Sequence, residues 1–89
     1  MPKEILEKAI TVLKEKEYIC WHKKKIFGLW DILAINNKGL LLILLTTEPK
    51  VQKAKKRIQE FCKNNNISIY SEIWFWSAKN EKFKILSVY

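Results

Sequence analysis

A chain of 89 residues has room for one domain, and at that size it buries roughly 60–65% of its unfolded surface, enough for a single modest core. An apolar fraction of 48%, with four Trp, four Phe and three Tyr, excludes a disordered chain, which is poorer in aromatics. The formal net charge of +8 points to anionic partners, nucleic acid before an anionic membrane surface. The opening residues MPKEILEK are charged and amphipathic and do not read as a secretory signal, and the longest wholly apolar run, residues 40–45, is too short to span a bilayer. A cytoplasmic protein with no membrane partner is the expectation. Cys20 and Cys62 lack the spacing of a metal site, so reduced, partly buried thiols are expected.

Taken in chain order, residues 3–16 place Ile5, Leu6, Ala9, Ile10, Val12 and Leu13 at helical spacing, which predicts an amphipathic helix with one buried stripe. Residues 18–21 read as a short strand, and Lys23, Lys24 and Lys25 as a turn or strand end. Residues 27–35 and 40–47 read as two strands joined by Asn36-Asn37-Lys38-Gly39, a connection suited to a hairpin. The second of these is apolar on both faces, as in a central strand covered on each side. Thr47-Glu48-Pro49 predicts a helix start. Val51, Ala54, Ile58, Phe61 and Cys62 form the stripe of that helix, and Asn64-Asn65-Asn66 marks its end. Residues 67–77 alternate as a strand does, and a turn leads into a last strand over 83–88. The expected order is α-β-β-β-α-β-β, an α/β (α+β) domain without repeats or linkers.

Charge is concentrated in two places. Lys23, Lys24 and Lys25 follow His22, and Lys50, Lys53, Lys55, Lys56 and Arg57 follow one another with no acid between them. The second helix carries Lys50, Lys53, Lys56, Arg57 and Lys63 away from its apolar stripe, in positions to grip phosphates without reading bases. Trp21, Trp30, Trp74 and Trp76 are packing residues first, with stacking on unpaired bases or a dimer contact as the alternatives.

One carboxylate stands out. In a period-two strand Asp31 shares a face with Phe27, Leu29, Leu33 and Ile35, and an unpaired carboxylate buried there costs several kcal/mol. It therefore lies at the strand's edge, pairs with a lysine such as Lys24, or belongs to a metal-binding set.

With "FGLWDILAINNKGLLLILLTT" at its centre, this order of elements resembles the PD-(D/E)xK nuclease superfamily, in particular its small Holliday-junction-resolvase-like branch. The resemblance implies a restriction-endonuclease-like fold, a mixed central sheet flanked by two helices. It also implies a site in which a glutamate of the first helix, an aspartate of the second strand and an E-x-K of the third converge on magnesium. Asp31 matches the aspartate, Glu7 or Glu4 would supply the helix acid, and Leu44-Leu45-Thr46 stands where E-x-K would be. Leucine cannot ligate Mg2+ and threonine offers a hydroxyl in place of an ammonium, so the implied metal site is degenerate. Glu48 is a further place for a relocated acid. The resemblance thus implies a DNA-binding domain, branched DNA included, with weak or absent nuclease activity and Asp31, Glu7 and Thr46 as the remnant of its centre. Homodimerisation and a viral or mobile-element origin are consistent with it. The alternatives are an active Mg2+-dependent endonuclease using Asp31 with a relocated acid, and a dimeric interaction module built on an exposed strand at residues 73–76.

Overall fold

The computed structural model describes residues 3–88. Helix α1 (Lys3–Glu15) is followed by β1 (Ile19–Trp21), β2 (Ile32–Asn36), β3 (Gly39–Thr46), a single 3-10 turn (Glu48–Lys50), α2 (Val51–Asn64), β4 (Ser71–Ser77) and β5 (Lys82–Val88). The five strands form one mixed sheet in chain order. All neighbouring strands run antiparallel except β3 and β4, which are parallel and joined through α2. The domain is therefore α+β, with the expected order of elements.

Alternate side chains of β3 divide the core. Leu42 and Leu44 pack with Val51, Ala54 and Ile58 of α2 and with Trp30, Ile73 and Val88. Leu41, Ile43 and Leu45 pack with Ala9 and Leu13 of α1 and with Ile32, Ala34 and Trp74. The two helices thus cover opposite faces of the sheet, which is why β3 is apolar on both sides. Each fully buried aliphatic side chain in these layers contributes about 1.5–3 kcal/mol.

Local chemistry sets the ends of the elements. Glu17 adopts a left-handed φ of 65°, and the N–H of Tyr18 returns to the Leu13 carbonyl at 3.0 Å, closing the last turn of α1. Between β2 and β3 the chain turns through Asn37 and Lys38, the Lys38 N–H donating to Asn36 Oδ1 at 2.8 Å. Gly39 closes this hairpin at φ 137°, a conformation that disfavours any side chain. Pro49 sits in the 3-10 turn ahead of α2, where a missing N–H removes no helical bond. Beyond α2, Asn65 Nδ2 donates to the Phe61 carbonyl at 2.8 Å and Asn66 takes φ 53°.

Three sequence expectations need correction. Residues 27–35 are not one strand: β2 begins only at Ile32, because Phe27 and Gly28 are both left-handed and form a tight loop. Residues 67–70 alternate as a strand would but lie outside the sheet, and β4 begins at Ser71, the first residue in register with β3. Nor is the segment 73–76 an exposed strand, since it lies between β3 and β5 with Ile73 and Trp74 buried.

Candidate functional site

The place of Asp31 follows from the loop before it. Ile26 and Trp30 form an isolated antiparallel bridge, and the turn between them returns the chain to the sheet at Asp31, whose N–H donates to the Ile43 carbonyl at 2.8 Å. The Asp31 side chain is 11% exposed; its Oδ1 faces Lys25 Nζ at 3.9 Å. Its Oδ2 accepts the Leu45 N–H at 2.7 Å. The carboxylate replaces the main-chain carbonyl that a longer β2 would have offered, so a part-buried donor keeps a partner. Compensation by a lysine is thus realised, through Lys25 instead of Lys24.

Lys25 also borders a cleft of about 380 Å³ at the junction of β3 and α2. Leu44, Leu45, Thr46 and Thr47 form one wall, and Lys50, Lys53, Ala54 and Arg57 the other. The three α2-side cations are spaced i, i+3 and i+7, so successive helical turns carry them along one side of the helix. The parallel crossover brings the start of α2 beside the end of β3, where the positive end of the helix macrodipole adds to the lysine field. Arg57 Nη2 makes a long hydrogen bond of 3.5 Å to the Gly28 carbonyl, tying α2 to the loop that positions Asp31. An anion entering this cleft meets four cationic side chains and two threonines. Asp31 is already engaged with Lys25 and a main-chain N–H, and Glu48 lies in the turn between the lining residues Thr47 and Lys50.

The sequence-derived candidates are only partly brought together. Lys25, Lys50, Lys53, Arg57 and Thr46 share the cleft. His22, Lys23 and Lys24 are exposed in the loop leading to it, and Lys56 is exposed on α2 without lining it. Glu4 and Glu7 belong to α1 and line a different groove with Lys8, Trp74, Trp76 and Phe83, on the α1 side of the sheet. Glu48, in the 3-10 turn, is exposed.

The donor set beside Asp31 does not suit Mg2+. The ion demands several hard oxygen ligands, whereas one oxygen of Asp31 is held by the Leu45 N–H and the other faces the Lys25 ammonium. Among the described residues no group of three or more His, Cys, Asp or Glu side chains is placed to hold a metal ion.

Sequence reasoning missed Phe27 and the loop that presents it. Phe27 is 73% exposed at φ 53°, its ring 5.6 Å from that of Phe61, which in turn meets Trp30 edge-on at 5.4 Å. Gly28 was the available signal, since a glycine after an aromatic residue in an apparent strand marks a turn. Of the tryptophans, Trp30 and Trp74 are buried and Trp21 is exposed. Trp76 is half-buried beneath Lys8, whose Nζ lies 5.0 Å from the ring. Burial pushes the Cys20 thiol above its ordinary pKa, an effect that nearby Lys14 partly offsets. Both cysteines are free, and among the described residues no helix is long and apolar enough to cross a membrane.

Cross-strand register also aligns Ile19, Ile35 and Leu40, all exposed, as an uncharged row over β1, β2 and β3. Comparison of the chain with protein-family models, with curated proteins and with solved structures finds no match.

Proposed function

We propose that this domain binds DNA through its phosphate backbone, in the cleft between the end of β3 and the start of α2, on a degenerate nuclease scaffold of the PD-(D/E)xK type. The single observation that carries the reading is the convergence of Lys25 with Lys50, Lys53 and Arg57, cations from two separated basic stretches, on one concave surface. The α-β-β-β-α-β-β order, the mixed sheet between two helices, and the position of Asp31 beside the strand end bearing Leu44 and Thr46 support the nuclease-type scaffold. Backbone binding needs donors and positive charge at phosphate spacing, without base-edge contacts, and affinity then arises largely from counterion release. Branched DNA, which presents several backbones at one place, suits such a surface.

Fluorescence anisotropy with duplex, single-stranded and four-way-junction DNA across a salt series tests this. With about five phosphates engaged, log affinity for duplex should fall against log salt with a slope near −4 to −5. Absence of binding to every form at low salt would refute the proposal.

A second reading is favoured by the cross-strand row of three exposed apolar side chains, Ile19, Ile35 and Leu40, on a strongly basic chain. Two copies meeting across it would form a homodimer without opposing like charges. Sedimentation velocity should then show a concentration-dependent dimer that Ile35→Lys abolishes. A monomer at high micromolar concentration removes this reading.

A further inference from the structure

Resting on the DNA-binding reading, we infer that Phe27 is a stacking platform for an unpaired base, so that the cleft and its lip together select single-stranded or frayed DNA over closed duplex. Arg57 is the hinge of the argument. It lines the cationic cleft with Lys25 and Lys50, and it also borders a second, shallower hollow formed by Phe27, Gly28, Leu29, Phe61 and Asn64, with the Glu60 carboxylate at its edge. A phosphate held by Arg57 therefore has an aromatic surface immediately beside it.

That surface is built for presentation. Phe27 keeps 73% of its area in solvent, the second most exposed large hydrophobic residue among those described, and its φ of 53° is one that bulky residues rarely adopt. Burial cannot explain an aromatic in this position, because most of the ring is not buried. The ring is nevertheless supported: Phe61 lies beneath it at 5.6 Å, and buried Trp30 meets Phe61 edge-on at 5.4 Å. The loop is held by the Ile26–Trp30 bridge and by the Arg57 contact to Gly28. A braced ring beside a phosphate-binding arginine provides the two elements of single-strand recognition, a π-face for the base and a cation for its backbone. In closed duplex the bases are stacked on one another and offer no free face.

The test uses fluorescein-labelled 12-nucleotide dT, the same strand carrying abasic sites throughout its middle, and a 12-base-pair duplex, with affinity read by anisotropy at low salt. Wild-type protein should bind dT more tightly than either other probe. Phe27→Ala should weaken dT binding roughly 5- to 150-fold, the range expected for loss of one stacked base, with duplex and abasic affinities unchanged. Phe27→Tyr should restore dT binding, and Lys50→Ala with Lys53→Ala should weaken all three probes. If Phe27→Ala binds dT as wild type does while the lysine variant is impaired, the stacking role is wrong and the phosphate cleft stands. If wild-type protein binds none of the probes, both fail.

Discussion

The Asp31 carboxylate ends the β2–β3 ladder by accepting the Leu45 N–H at 2.7 Å, with Lys25 Nζ 3.9 Å from its other oxygen. Replacing it with alanine strands that donor at a part-buried strand end, an expected loss of about 1–3 kcal/mol. Asp31→Asn keeps an acceptor for Leu45 and should lose much less. Urea denaturation of the two variants separates the hydrogen bond from the charge.

The same pair of variants bears on DNA. Asp31→Asn removes the negative charge 3.9 Å from the ammonium of Lys25, which lines the cleft, and frees Lys25 from its partner. Affinity for single-stranded and duplex DNA should rise at low salt, with the gain fading as salt screens the site. Anisotropy titrations at two ionic strengths check this; a fall in affinity would mean that Asp31 contributes to the bound state.

Each of Lys50 and Lys53 is expected to engage a phosphate. Single alanine variants should therefore reduce the log-log salt slope by about 1 apiece and weaken binding evenly across DNA sequences. Alanine at Lys84, exposed on β5 and outside the cleft, should leave the slope unchanged.

Ile58 is 1% exposed at the centre of the layer between α2 and the sheet. Ile58→Ala should destabilise the fold by about 2–5 kcal/mol through lost burial and the cavity left behind. The midpoint of a guanidinium melt reports it, and near-UV circular dichroism distinguishes a loosened core from global unfolding.

Burial holds the Cys20 thiol above its ordinary pKa of 9.0. The folded state then binds this proton more tightly than the unfolded chain does, so its contribution to stability is present below that pH and is lost as pH rises through the folded value. In a Cys62→Ser background, iodoacetamide labelling of Cys20 should show a pH midpoint above 9.0. Addition of Cys20→Ser should flatten the decline in stability above pH 9.0.

Periodicity made the order of elements legible because both helices carry clean apolar stripes and β3 is apolar throughout. It misled where alternation occurred without a strand partner: residues 67–70 alternate, yet pairing with β3 starts at Ser71. Phe27, Leu29 and Asp31 also alternate, but two consecutive left-handed residues intervene. The basic stretches were visible as charge runs. Their convergence was not, since it depends on a parallel crossover that sets α2 beside the end of β3, a long-range relationship with no local signature. Glu4 and Glu7 were associated with Asp31 only through the resemblance, and α1 carries them to a groove on its own side of the sheet.

Because the strands lie in the sheet in their order along the chain, each half of the sheet assembles from short-range closures: β1, β2 and β3 as one meander, β4 and β5 as one hairpin. Only the parallel seam between Leu42–Thr46 and Ser71–Phe75 waits for a longer excursion, the one that α2 spans. Docking of α2 therefore gates the union of the halves, and changes to its apolar stripe should slow refolding more than equally destabilising changes at the tip of either hairpin.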